Sequence, residues 1–373
     1  MRVSGSDRRA VRAPRRWHSC GLGVLTRLTR VAATVLASSL IVVSWLAGTL
    51  PLAAEEPASE LRPVSIGFVR HAYGTWTAKI ADGSFETATG RTLRWLSFDT
   101  DSSIAAALAG GRLDVGLMGT SVAAAALARG LDLKVFYVIG GAADSEALLV
   151  NGDRPFRIGD AKSLNNLVVA TPFGSTPHFR LLQSLKRWAI APAGMRLVNL
   201  QAPQIVEAWS RGEIDAAVVS EPLIGQLTPA GRLIPLPAAG GQEGLLVLTG
   251  LADFVTTHMV FLARLVDVMS RADQSFAGMQ GPLNVDRSEV RSIAFLTGQT
   301  PAAVIAAIAR YRPPPLAEQA SRHWLGGGSA SMLAAELKAN AEVWRWAGRL
   351  DRADRDFSTA VTPVPVEQAL KYQ

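Results

Sequence analysis

The sequence predicts an α/β protein built as two lobes of like topology. Two observations carry this. Short β-rich runs alternate with helix-like stretches, the signature of βαβ units and a mostly parallel sheet. One pattern also returns about a hundred residues on: Gly111-Arg112-Leu113-Asp114 matches Gly212-Glu213-Ile214-Asp215 at an offset of 101. At that offset Ile104 falls on Ile205, Ala107 on Ala208 and Leu108 on Trp209. Two copies fit a pair of lobes, whereas a repeat array needs more.

The elements follow in order. Pro63–Val69 reads as a strand, Trp76–Thr89 as a helix, Thr92–Phe98 as a strand and Ser102–Ala109 as a helix. A strand over Asp114–Met118, a helix over Ser121–Arg129 and a strand over Leu133–Ile139 complete the first set. Upstream of the second copy, Leu167–Thr171 corresponds to Val64–Val69. The second set ends near Pro235, and the apolar run Gly244–Thr249 reads as a strand that returns to the first lobe. Helices are expected over Ala252–Ala272, Arg287–Leu296, Pro301–Ala309 and Ser331–Gly348. In the last of these, Leu333, Leu337, Ala341 and Trp344 share one face, as burial requires. The expected division is 62–150 plus 242–350 for lobe 1, 151–241 for lobe 2 and 351–373 for a C-terminal tail. The crossings are expected at Asn151-Gly152-Asp153 and Leu236–Gly241.

The 373 residues carry 38 Lys and Arg against 31 Asp and Glu. The excess is local. Removing the eight arginines and Asp7 of residues 1–54 leaves 30 basic and 30 acidic residues, so the body is neutral and lacks a basic nucleic-acid footprint. The single cysteine, Cys20, also lies in this leader, which excludes a disulfide, a thiol nucleophile or a cysteine metal site in the body. A basic segment, an uncharged run from Val31 to Ala54 and small residues before Glu55-Glu56 read as a signal peptide over residues 1–54. An uncleaved anchor is the alternative, since 24 uncharged residues can span a bilayer. Either way the body is expected outside the inner membrane, in the periplasm.

In open parallel sheets ligands bind beyond the carboxyl ends of strands. Those ends carry Ser102, Ser103, Thr120, Ser121, Ser175 and Thr176, each just before a predicted helix. Helix N-termini offer free N–H groups and a partial positive charge, which suits an oxyanion such as a sulfonate. Taken singly each hydroxyl is better explained as an N-cap; six of them at strand ends in two lobes argue for a shared anion site. Tyr73 and Trp76 are candidates to line the cleft, Trp76 equally for lobe packing. His71 and Gln201 stand at further strand ends. His178 is a candidate donor, and Glu146 and Glu221 are candidate partners for a ligand ammonium or for backbone N–H groups. The four body histidines lack metal-ligand spacing, and G-x-S-x-G, GK[ST] and H-E-x-x-H motifs are absent. No cofactor, metal or catalytic residue is expected.

These residues carry a resemblance. Phe98-Asp99-Thr100-Asp101-Ser102-Ser103-Ile104, Met118-Gly119-Thr120-Ser121, Ser145-Glu146-Ala147-Leu148, Thr171–His178 and Leu197–Trp209 resemble periplasmic taurine-binding proteins of ABC importers, within the wider nitrate, sulfonate and taurine solute-binding family. The resemblance covers roughly Val64 to Leu227. It implies the periplasmic-binding-protein type II fold, with mixed, mostly parallel sheets, flanking helices and two hinge crossings. It also implies a monomer that closes on a small anionic organosulfonate held among the six hydroxyls and delivers it to an inner-membrane permease with its ATPase. The sequence departs from taurine binders in three places. The loop Arg70–Trp76 holds no acid, Ser220-Glu221-Pro222 replaces an aromatic-containing turn, and leucine stands near Gly244 where an aspartate is expected. Partners for a ligand ammonium therefore move to Glu221 or Glu243, and the sulfonate class is the firmer expectation. The competing readings are a binder of nitrate or of a thiamine-pyrimidine precursor, and a ligand-sensing extracytoplasmic domain. An enzyme on the same architecture would call for a cysteine cluster that the body lacks.

Overall fold

The computed structural model describes residues 62–70, 74–141, 146–152, 154, 161–237, 244–279 and 282–373. The leader, His71, Tyr73, Glu243 and most of the expected crossing segments lie outside the described residues. The first half contains β1 (Val64–Val69), α1 (Thr77–Ala81), α2 (Ser84–Thr89), β2 (Leu93–Phe98), α3 (Asp101–Ala109), β3 (Val115–Gly119), α4 (Thr120–Ala128) and β4 (Leu133–Gly141). Next come β5 (Glu146–Asn151), β6 (Val168–Thr171), α5 (Thr176–Arg187), β7 (Arg196–Asn199), α6 (Ala202–Ser210), β8 (Ala216–Ser220), α7 (Leu223–Leu227) and β9 (Gly231–Ile234). The chain ends with β10 (Leu245–Leu251), α8 (Ala252–Thr257), α9 (Met259–Ala277), α10 (Ser288–Thr297), α11 (Pro301–Arg310), α12 (Leu316–Gln319), α13 (Met332–Trp346) and α14 (Val364–Ala369).

Two five-stranded sheets share one plan. The first runs β2-β1-β3-β10-β4 and the second β7-β6-β8-β5-β9. In each, three parallel strands meet one antiparallel strand, β10 or β5, which pairs with the last. The sequence repeat has a physical cause. The Asp114 carboxylate accepts the Ser65 N–H at 2.8 Å, and the Asp215 carboxylate accepts the Val168 N–H, also at 2.8 Å. The Asp114 and Asp215 N–H groups donate in turn to the Ser65 and Val168 carbonyls at 2.9 Å. Each aspartate thus ties the foot of a central strand to its neighbour. The preceding Gly111 and Gly212 take φ of 65° and 67°, the left-handed turn that glycine adopts without strain.

Two expected boundaries shift. The helix expected over 76–89 is two helices, because Gly83 takes φ 70° between them. β5 belongs to the second sheet, so the first change of sheet falls between Gly141 and Glu146 and not at Asn151–Asp153. Asn151 is stitched into the second half: its Nδ2 donates to the Trp209 and Ile214 carbonyls. The return falls between Ile234 and Leu245.

The tail 351–373 docks on the first half. Val361 bridges Val135, the Thr362 N–H donates to the Val135 carbonyl at 2.9 Å, and Phe357, Val366 and Ala369 are buried. This covers the open edge of β4. One apolar cluster runs from the first sheet through α13 to α5, β6 and β8, while the other face of the second sheet has its own cluster around Leu149, Ile205 and Trp209.

Candidate functional site

Three helices of eight or more residues, α3, α4 and α5, begin at strand ends that face one another. At α3, Thr100 is the N-cap and accepts the Ser103 N–H at 3.3 Å. Its hydroxyl also lies 3.1 Å from Ser102 Oγ and 2.8 Å from Ser103 Oγ. At α4 the N-cap is Gly119. At α5 Ser175 caps the helix by accepting the His178 N–H, while its own hydroxyl donates to the Pro172 carbonyl.

The ends of α3 and α5 touch across the two halves. The Ser102 N–H donates to the Gly174 carbonyl at 3.2 Å. Gly174 has φ 72°, and a Cβ there would stand 2.6 Å from Ser102 Oγ, so this approach requires glycine twice over. A Cβ on Gly119 would stand 2.8 Å from Thr176 Oγ1.

The centre of this contact is Asp101, 5% exposed. Its carboxylate accepts the Gly119 N–H at 2.9 Å. Burial pushes the Asp101 pKa up, and hydrogen bonding led by the Gly119 N–H offsets only part of that. A second acid approaches from α13: Thr120 Oγ1 donates to Glu336 Oε1 at 2.8 Å and accepts from Asn340 Nδ2 at 3.3 Å. Ser121 Oγ is buried without a partner among the described residues, and so is Thr171 Oγ1.

His178 is buried, stacked on Phe173 at 4.5 Å and edge-on to Trp344 at 5.2 Å. Burial, and then the charge of Arg349, lower its pKa to about 4, so the ring is neutral at neutral pH. Its Nδ1 accepts the Gly174 N–H at 3.2 Å, which puts the ring proton on Nε2, a buried donor without a described acceptor. Trp344 joins the halves: its Nε1 donates to the Ser121 carbonyl at 2.9 Å, and its ring meets Phe179 of α5 at 5.5 Å.

Ser102, Thr120, Ser121, Ser175, Thr176 and His178 are thus brought together, while Ser103 turns to an exposed position on Thr100. The remaining described candidates make other contacts. Trp76 is buried in the first lobe, stacked on Trp95 at 5.8 Å. Gln201 heads α6, its N–H donating to Gln204 Oε1. Glu221 accepts the Gly225 N–H at 3.2 Å, and Glu146 pairs opposite Ser220 at the start of β5. Asp101, Glu336, Asn340 and Trp344 were not foreseen as site residues. Asp101 carried a signal, an acid directly after an N-capping threonine; Glu336 and Asn340 had one only in lying beside the apolar face of their helix. No group of three or more potential metal-ligating side chains occurs among the described residues. No single described helix is long and apolar enough to cross a membrane.

Comparison with known proteins places this geometry. Residues 57–231 match the profile described as the NMT1-like family. A curated relative, the taurine-binding periplasmic protein of Escherichia coli (strain K12), is 37% identical over 164 residues, 44% of this chain. The matched stretch spans half the length of that relative. Among solved structures, the alkanesulfonate-binding protein from Xanthomonas axonopodis pv. citri bound to MOPS aligns with a TM-score of 0.64 at 21% identity. The alignment covers 84% of this chain and 99% of that one. The periplasmic aliphatic sulphonate binding protein from Escherichia coli aligns with a TM-score of 0.63 at 18% identity, over 80% and 91% of the two chains. The resemblance read from the sequence is borne out, and the chain has the periplasmic binding protein fold.

Proposed function

We propose that this NMT1-like chain is the solute-binding protein of an ABC importer, capturing taurine or a related small aliphatic sulfonate in the periplasm and delivering it to a permease with its ATPase. The observation that carries the reading is the convergence of three helix N-termini from both halves, with the Ser102 N–H on the Gly174 carbonyl and Gly119 close against Thr176 Oγ1. Such a point suits an oxyanion, and donors from both halves make its occupancy a signal for closure. Ser121 Oγ and His178 Nε2 are further buried donors in the same neighbourhood. The names of the E. coli taurine-binding relative and the sulfonate-binding structures support the sulfonate class. No bond is made or broken in this reading; binding shifts an equilibrium between open and closed forms.

A thermal-shift panel of taurine, ethanesulfonate, sulfate, nitrate and a pyrimidine tests it. A ligand at a hundredfold excess over its Kd adds about 2.7 kcal/mol of stability, a rise of several degrees. Sulfonates are expected to give the largest shift. A shift with nitrate or the pyrimidine and none with sulfonates overturns the substrate assignment.

A further inference from the structure

An acid from a distant helix meets the head of α4. Glu336 lies in the first turns of α13, and its Oε1 accepts the Thr120 hydroxyl at 2.8 Å. Asn340, one turn on, bridges the pair: its Nδ2 lies 3.3 Å from Thr120 Oγ1 and 3.5 Å from Glu336 Oε1. Thr120 and Asn340 are buried, whereas Glu336 is half-buried. The next residue on α4 is Ser121, whose Oγ is buried without a partner among the described residues. α4 starts from Gly119, so no side chain caps its first N–H groups. Donors that suit an anion and an acid that repels one therefore meet at consecutive residues. Glu221, one of the acids expected to serve a ligand ammonium, accepts the Gly225 N–H within its own half.

We infer that Glu336 is the acceptor for a ligand ammonium and sets a preference for aminosulfonates over plain alkanesulfonates. The inference rests on the proposed function, in which the head of α4 helps to hold the sulfonate. Charge decides it. A carboxylate on Thr120 raises the energy of a plain anion bound beside it, because charges in a partly buried site are weakly screened. A zwitterion such as taurine offsets that cost, since its ammonium and sulfonate stand at the two ends of a short chain. The Thr120 hydroxyl links the two ends. It has one proton, which it gives to Glu336. An ammonium on Glu336 supplies donors in its place, and the hydroxyl turns its proton to a sulfonate oxygen. Ethanesulfonate brings no donor, so the carboxylate keeps the Thr120 proton and repels the ligand.

Titration calorimetry with taurine and ethanesulfonate, sulfonates of equal chain length that differ in the ammonium, tests this. The purified protein is compared with Glu336→Gln and Glu336→Ala, which remove the charge with and without keeping the shape, and with Glu336→Asp, which retains it. Circular dichroism checks that each variant is folded. The unsubstituted protein is expected to bind taurine about tenfold or more tightly than ethanesulfonate, the scale of one hydrogen bond to a charged group. In Glu336→Gln and Glu336→Ala, taurine affinity is expected to fall about tenfold or more, while ethanesulfonate affinity holds or rises. Glu336→Asp is expected to keep a preference for taurine. A role confined to fastening α13 to α4 predicts instead equal losses for both ligands, with their ratio unchanged. An unsubstituted protein that binds the two equally overturns the inference, and so does a folded neutral variant whose preference for taurine is undiminished; either result leaves sulfonate capture standing. Binding of neither sulfonate by the unsubstituted protein overturns the sulfonate reading and this inference with it.

Discussion

The two halves of the molecule share a sheet plan but not their strand-end chemistry. At the feet of the strands they are alike: Asp114 and Asp215 accept equivalent N–H groups, after Gly111 and Gly212 in equivalent turns. At the tops they differ. The residue at the head of α3 is Asp101, buried and bonded to the Gly119 N–H, whereas 101 positions on, at the head of α6, stands Ala202. The end of β3 leads through Gly119 directly into α4, while the end of β8 leads into Glu221-Pro222. Repeated residues build the scaffold, and unrepeated residues build the contact between the halves. Duplication keeps what folding needs and frees the loops to diverge.

The largest expected effect breaks the junction. Trp344→Ala removes the indole that packs on α5 and donates to Ser121, and should cost about 3–5 kcal/mol in urea unfolding, the usual range for a buried aromatic. The aspartate pair sharpens the comparison next. Asp114→Ala leaves the Ser65 N–H buried and unpaired and should cost about 1–3 kcal/mol. Asp215→Ala should cost the same or less, because its carboxylate is more exposed, and ligand affinity should be unchanged in both. Near-equal costs confirm a shared scaffold role; a loss of binding in either would blur the division proposed here. Gly174→Ala should cost about 1–3 kcal/mol, since a left-handed φ and the close Ser102 both oppose a Cβ. The smallest effect is expected from Ala202→Asp, which gives the second half the acid of the first. With only the helix dipole to meet, it should add about 0.3–1 kcal/mol.

Titration offers a further contrast, between an acid of the first half and a base of the second. Burial raises the Asp273 pKa to about 7, against hydrogen bonding led by the Thr75 hydroxyl that pulls it down. A raised carboxylate pKa means that the folded state binds the extra proton, so this group stabilises the fold increasingly as pH falls from about 7 toward 4. His178 is depressed to about 4, so its contribution is present above its ordinary value of 6.5 and is lost as pH falls from there to about 4. The two slopes oppose each other. Asp273→Asn should expose the histidine slope, with stability falling from pH 7 to 5, and His178→Gln should expose the opposite one. Unfolding midpoints at pH 5, 6 and 7 check both; equal slopes in the two variants would contradict the assignment.

Much of this was legible in the sequence. The offset of 101 located the scaffold because Gly and Asp each meet a local backbone demand that recurs in both halves. The hydroxyls Ser102, Thr120 and Thr176 were legible because hydroxyl residues gather in the first turns of helices that start at strand ends. The sheet that owns Glu146–Asn151 was not, since an apolar strand reads alike in either sheet and only pairing with Ser220 and Ile234 decides. Asp101 was passed over because an acid in a first helical turn ordinarily serves the dipole alone. Glu336 lies 216 positions from the Thr120 that it meets, and no local pattern reports such a distance.

The central claim is that an external anion takes the seat at the heads of α4 and α5. A crystal structure with taurine or ethanesulfonate bound tests it most directly. The sulfonate oxygens are expected on first-turn N–H and hydroxyl groups of α4 and α5, among them those of Thr120, Ser121 and Thr176. A sulfonate bound elsewhere, with these groups free of it, would contradict it.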